Sequence, residues 1–565
     1  MSVNRIVALL CCLLLITAKA TAQFVLVRNG APAATILCAD NSKETEEAAQ
    51  LLNLFVERIS GATLPVAHGS RAQKAVVIGG KSARVGENGF DITATRSGIV
   101  IRTGGGKGAV YGVGELLEQY LGVDYYAKNV YSLEKRKTIT VPAFRTRQTP
   151  VFQYRQTNTY GNEDPVYRQF LRVDDPSEVF AGNLWVHTFN PIVPVQQYGA
   201  SHPEYYAMID GKRVVEPSSQ WCLTNEELFQ LVVHKVDSIF RKHPGKSMLS
   251  VSQNDGVDRY CRCPKCNKVA EEEGAQSGAI IRFVNRLAQR FPDKTFSTLA
   301  FLYSMDPPKR TRPLKNVNIM LCSFDARRHN VITDNHYGKL FYNALEGWSA
   351  ITDNIFLWDY GISFEHLLMP FPNFHILQPN MRIFREHGAK MLFSQCNGEP
   401  ATDFAELRGY VLSKLMWNPE RDLDSLVHKF MSGYYGAAGR YLYDYRKRLE
   451  QNLIQSEQPM WIADKPEYHK DGMFSADKMK VYNTLFDRAE RAVASDETLL
   501  YRVQRARLTL QYVELELAKT YRQQRSPAIQ QTLQRFRNVA KREKIVSIRE
   551  RHESPEQYCN DYLKN

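Results

Sequence analysis

Between about Arg145 and Gly436 the sequence repeats one pattern: a short apolar run, a polar or aromatic residue at its end, then a stretch with helical periodicity. Eight such runs can be drawn, over 151–156, 184–189, 220–224, 247–252, 295–303, 317–323, 354–360 and 391–395. Apolar runs of this length, alternating with helices, are the signature of repeated βα units with parallel strands. Eight units in a row predict a closed (β/α)8 barrel of the TIM type over 145–436. The crossings over 278–291 and 403–416 are the most regular.

The flanks carry other patterns. Residues 23–144 mix short β-rich runs with helical ones, which predicts a small α/β domain. Within it, Gly104-Gly105-Gly106-Lys107-Gly108 precedes a helical stretch but lacks the Gly-Lys-Ser/Thr ending of a phosphate loop, so it reads as a tight turn. Residues 437–565 show amphipathic helical patterns interrupted at 461–473 and read as a helical C-terminal domain. At the other end, Arg5 precedes the apolar run 6–16 and Ala20-Thr21-Ala22 follows it, which predicts a Sec signal peptide over 1–22 and a periplasmic, cell-surface or secreted protein. No later apolar run is long enough to span a bilayer.

The formal charge is +13, and much of the excess lies in helix-like stretches such as 501–507 and 535–542. Those are solvated basic faces, and no nucleic-acid partner is expected. Eight of the ten cysteines lie after residue 22, too few for a disulfide scaffold in so long a chain. Cys261, Cys263 and Cys266 form Cys-x-Cys-x-x-Cys with no fourth ligand nearby in sequence, so they read as a disulfide or free-thiol staple of their loop, and neither metal nor cofactor is expected.

In a barrel of this kind the chemistry sits at the carboxyl ends of the strands. Those positions hold Arg155, Trp185, His187, Gln253, Asn254, Asp255, Tyr303, Asp325, Trp358, Asp359, Tyr360, Gln395 and Glu399. Aromatic faces stack on sugar rings, while amides and carboxylates bond hydroxyls, so the set describes a glycan site. Glycoside cleavage needs an acid for the leaving oxygen and a second group that attacks, activates water or orients a substrate acetamide. Asp255, Asn254, Glu399 and Asp359 are the candidates for that work. Arg155, His187, Gln253, Tyr303, Trp358, Tyr360 and Gln395 are the candidates for binding.

The runs 251–256, 282–285, 358–360, 370–373 and 415–419, with the Cys-x-Cys-x-x-Cys, resemble the secreted domain of unknown function that includes glycoside hydrolase family 163. Residues 108–123 resemble the small α/β domain that precedes barrels in hexosaminidases and α-glucuronidases. The first resemblance implies a retaining endo-β-N-acetylglucosaminidase that cleaves glycans or glycoproteins at the chitobiose core, the substrate acetamide serving as nucleophile. It also implies a glutamate just after the Phe of the eighth strand, where this chain has Ser394. The alternatives are an exo-acting hexosaminidase or α-glucuronidase-like hydrolase, and a non-catalytic glycan-binding protein on the same scaffold.

Overall fold

The computed structural model describes residues 23–69, 73–256, 259–334, 336–550 and 553–564. The signal-peptide reading of 1–22 lies outside them. The chain forms two compact units, one with residues up to Tyr125 together with Val130–Pro150, the other with Tyr126–Asn129 and Val151–Asn565. Among the described residues no helix is long and apolar enough to cross a membrane.

The first unit is an α/β layer structure. Its six-stranded sheet runs in the order Phe144–Gln148, Phe90–Ala94, Gly98–Thr103, Ala75–Lys81, Thr35–Cys38, Val66–His68. The helix Lys43–Ser60 is capped by Ser42 and ends at Gly61, whose left-handed φ of 80° returns its N–H to Glu57 O. The glycine run is a turn packed on its neighbour. Gly105 and Gly106 have φ of 130° and 50°, a Cβ on Gly104 would stand 2.1 Å from Gly86 O, and the Lys107 amide is bonded to Asn88 Oδ1 at 2.9 Å. Close backbone approach explains Gly104, and positive φ explains Gly105 and Gly106.

The second unit is built on a six-stranded parallel sheet: β1 Tyr154–Thr157, β2 Met248–Ser250, β3 Thr295–Ala300, β4 Val317–Cys322, β5 Ile355–Tyr360 and β6 Ala389–Gln395. Their order is β1-β6-β5-β4-β3-β2, with every pair parallel. Buried on both faces, β4 and β5 are near-continuous apolar runs, as the central strands of a parallel sheet covered by helices require. The helices of ten or more residues between these strands and directly after the last of them are α1 Glu226–Lys242, α2 Pro264–Glu273, α3 Ser277–Arg290, α4 His336–Ser349, α5 Phe374–Glu386 and α6 Ala405–Trp417. On α3, Ile280, Phe283, Val284 and Leu287 repeat at three- and four-residue spacing and are buried, each contributing about 1.5–3 kcal/mol.

Two of the eight expected strands do not form, which corrects the closed eight-stranded reading. Over 184–189, His187 takes a φ of 51°, and a left-handed residue breaks an extended run. Residues 220–222 instead pair antiparallel with 205–207, through Ala207 N to Gln220 O and Cys222 N to Tyr205 O, both at 2.8 Å. The irregular segment 172–189 occupies the edges. Asp174 N donates to Arg155 O on β1 at 2.6 Å, while Phe180 bridges Met248 on β2 and Ser250 N donates to Leu184 O at 2.9 Å. The sheet is thus a curled, parallel half-barrel with loop backbone bonded to both edge strands.

Six further helices follow: α7 Leu423–Tyr435, α8 Gly439–Ser456, α9 Ala476–Ala492, α10 Glu497–Thr520, α11 Pro527–Glu543 and α12 Pro555–Asp561. They belong to the same compact unit as the sheet.

Candidate active site

The carboxyl ends of β2 to β6 converge on an aromatic group. Strand alternation puts Trp358 and Tyr360 on one face of β5, their rings stacked 5.7 Å apart. Trp358 also meets Trp185 at 5.7 Å, His187 at 6.2 Å and Phe393 at 5.3 Å. Just past β4 comes Phe324, which meets Tyr360 at 6.0 Å, Phe301 at 5.4 Å and Trp461 at 6.1 Å. Trp461 lies 137 residues further along and donates from Nε1 to Phe324 O at 3.1 Å. Past β3, half-buried Tyr303 packs its ring 5.1 Å from Tyr260.

The polar groups around these rings are partly committed. Trp358 Nε1 donates to Gln395 Oε1 at 2.9 Å, which orients the half-buried amide and leaves its NH2 for another acceptor. His187 Nδ1 lies 2.9 Å from Gln253 O. A carbonyl only accepts, so Nδ1 carries the proton and Nε2 of the neutral ring holds the lone pair. Burial pushes the phenols of Tyr303 and Tyr360 upward, so both are held protonated as donors. Asp255 adds to the rise at Tyr360 and at the buried Cys322 thiol, which places its charge within electrostatic reach of both.

The four carboxylate and amide candidates separate by burial. Asp255 is exposed at the rim after β2, and among the described residues its carboxylate has no hydrogen-bond or ion-pair partner. Asn254 is buried: its Oδ1 accepts from Asn190 N at 3.1 Å, and its Nδ2 donates to Ser219 O at 2.7 Å. Asp359 points to the face opposite Trp358 and is buried, Oδ1 accepting from Ser323 Oγ at 2.7 Å and from Arg328 Nη2 at 3.2 Å. Glu399 is half-buried, and its Oε2 accepts from Val546 N at 2.9 Å, so it ties the loop after β6 to the C-terminal segment.

Two binding candidates are corrected. Arg155 alternates away from Tyr154, is wholly buried, and donates to Arg172 O at 2.7 Å, Phe152 O at 2.7 Å and Gln153 O at 3.0 Å. Gln253 is also fully buried. It donates to Phe301 O at 3.0 Å and accepts from Ser304 Oγ at 2.6 Å, and so supports His187 through its carbonyl. Asp325 joins the candidates instead. It is half-buried beside Phe324, and among the described residues its carboxylate has no hydrogen-bond or ion-pair partner. Its strand-end position was visible in the sequence. Trp461 and the Arg327 guanidinium 4.5 Å above its ring had no local signal.

The family described as a domain of unknown function, DUF4838, matches residues 125–447, and the chain belongs to it. No curated protein matches the sequence. Solved structures similar to the chain include the GH20 β-N-acetylhexosaminidase from Streptomyces coelicolor A3(2), at 12% identity over 78% of this chain and 96% of that one, with a TM-score of 0.45. A β-N-acetylhexosaminidase from Bacteroides fragilis NCTC 9343 is similar at 12% identity over 76% and 94%, TM-score 0.44. A GH138 enzyme targeting pectin rhamnogalacturonan II is similar at 9% identity over 94% and 78%, TM-score 0.44.

Proposed function

We propose that the protein is a glycoside hydrolase that cleaves β-linked N-acetylglucosamine in glycans, with Asp255 as general acid and base. The observation that carries this reading is an exposed carboxylate that has no hydrogen-bond or ion-pair partner among the described residues, at the strand-end rim of an aromatic group that also presents His187 and Gln395. Half-buried Trp185, backed by the buried Trp358, supplies a face for a pyranose ring, and Gln395 NH2 and His187 Nε2 supply one donor and one acceptor for its hydroxyls. The N-acetyl group enters from the sequence resemblance. The acetamide oxygen attacks the anomeric carbon while Asp255 protonates the leaving oxygen, and the same carboxylate then takes a proton from the water that opens the cyclic intermediate. Asp325 is the carboxylate assigned to hold the acetamide N–H.

The test uses a complex N-glycoprotein and an aryl N-acetyl-β-glucosaminide, with released products read by mass spectrometry. Asp255→Asn is expected to lower kcat about 10²–10⁴-fold. The loss should shrink for a nitrophenyl leaving group, which needs little protonation. Unchanged turnover in Asp255→Asn would remove Asp255 from the chemistry. A second reading, a glycan-binding protein without activity, is favoured by the engagement of Asp359 with Arg328 and of Glu399 with Val546. Glycan binding without release by the unaltered chain would select it.

A further inference from the structure

We propose that Cys222, Cys261, Cys263 and Cys266 bind one zinc ion as a closed tetrathiolate that fastens the loop after Asp255 to the segment 205–225. The fourth thiol, missing from the local spacing, comes from Cys222, 41 residues before Cys263. All four sulfurs lie within 4.8 Å of one another, and the Cys222 and Cys263 sulfurs are 3.7 Å apart. A tetrahedron with Zn–S bonds of about 2.3 Å has sulfur–sulfur edges of about 3.8 Å. The residues are 3%, 6%, 6% and 5% exposed and form a small core of their own with Ala207. Four buried sulfurs closing on one point leave no open position, which describes a structural site and not a catalytic one.

The surroundings suit thiolates. Met208 N donates to Cys261 Sγ at 3.3 Å, and Arg213 Nη1 approaches the same sulfur at 3.9 Å while also donating to Tyr206 O at 2.7 Å. Thr224 Oγ1 lies 3.2 Å from Cys266 Sγ and 3.8 Å from Cys222 Sγ. Cys263 caps the amino end of α2, with Pro264 at its first position and Cys266 in its first turn, where the helix dipole favours negative charge. Zinc entry displaces four thiol protons and leaves a net charge of −2, which the Arg213 guanidinium partly offsets.

The metal would brace the rim from both sides. Two residues before Cys222, the Gln220 amide clamps the main chain of Asn254, accepting from its N–H at 2.9 Å and donating to its carbonyl at 2.8 Å. Asp255 is the next residue. That consequence rests on the functional reading above, whereas the metal site does not.

The experiment measures metal in the full chain purified without chelators. About one zinc per chain is expected, falling at least tenfold in Cys222→Ser, while Cys559→Ser, a buried thiol outside the cluster, keeps its zinc. Because Cys222→Ser can fail to fold, the unaltered chain is also stripped with a chelator and titrated with cobalt(II). One equivalent should give the strong visible absorption of a tetrahedral cobalt tetrathiolate, and alkylation of the four thiols should proceed only after stripping. Recovery of these cysteines as two disulfides, with neither zinc nor cobalt bound, would overturn the proposal, and so would a different metal at the same stoichiometry. Metal content is read independently of glycan release, so failure of the hydrolase reading leaves this result intact.

Discussion

Arg328 and Asp359 are buried together, and Arg328 Nη2 also donates to Ser323 O and Ser323 Oγ, both at 2.7 Å. Removing one partner of such a pair leaves an uncompensated charge, whereas the intact pair adds little net stability over a hydrophobic replacement. Arg328→Met should therefore lower stability by about 3–5 kcal/mol, and adding Asp359→Leu in the same chain should recover part of that loss. Urea unfolding of the two variants measures it, and equal midpoints for Arg328→Met and the unaltered chain would show that the pair bears no such cost. At this scale the sequence was read well where position alone decides and poorly where strand parity decides. Asp255 follows an apolar run that forms β2, whereas His187 lies inside the run 184–189, which forms no strand, and reaches the site through its bond to Gln253 O. Arg155 and Asp359 occupy equally suggestive positions, but they alternate onto the opposite face from Tyr154 and from Trp358. Their partners, Arg172 O and Arg328, lie too far along the chain for a local pattern to reveal.

The helix α2 ends on Glu273, and this residue shows how one element holds its neighbours. Its buried carboxylate accepts from Arg282 Nε on α3 at 2.7 Å, and from Thr311 N at 2.9 Å and Arg310 N at 3.1 Å in the loop after β3. Although burial alone would raise its pKa, bonds from Thr311, Arg282 and Arg310 hold it down, at about 2. The folded pKa lies below the unfolded one of about 4.3. The unfolded chain therefore binds the proton first as pH falls. The stability from Glu273 is fully present above pH 4.3 and is lost as pH drops toward 2. Glu273→Gln should cost about 1.5–3 kcal/mol at pH 7 and flatten the acid limb of a stability-versus-pH curve below pH 4.3. A curve parallel to that of the unaltered chain at every pH would rule out this role. Among the elements, six of eight strands were legible, most plainly β4 and β5, because parallel strands buried on both faces are long apolar runs. The runs at 184–189 and 220–224 have the same composition, yet one contains a left-handed residue and the other pairs with a loop, and composition encodes neither fact.

For the whole molecule, the helices after the sheet look in sequence like a separate domain beginning at 437, yet their core is shared with the strand-end loops. Leu368 and Ala401 from those loops pack with Leu508, Tyr512, Leu515, Phe536, Ile548 and Tyr558 in one buried cluster. Tyr512 Oη meets His366 Nδ1 at 2.7 Å, Leu367 N donates to Ile548 O at 2.9 Å, and Arg505 pairs with Glu406 on α6. Periodicity identified the helices correctly but carried no information about which surface they cover. Each large apolar side chain in that cluster is worth about 1.5–3 kcal/mol, so exposing Leu368 and Ala401 and orphaning Glu406 together removes several kcal/mol. A domain's whole margin is only about 5–15 kcal/mol. A chain ending at Tyr435 should therefore fail to give a cooperative thermal transition or a native near-ultraviolet circular dichroism spectrum, while Arg505→Met in the full chain should keep both with a lowered midpoint. A truncated chain that is soluble and melts cooperatively would mean the sheet stands alone with α1 to α7, and the helices after Tyr435 would then be an appended domain after all.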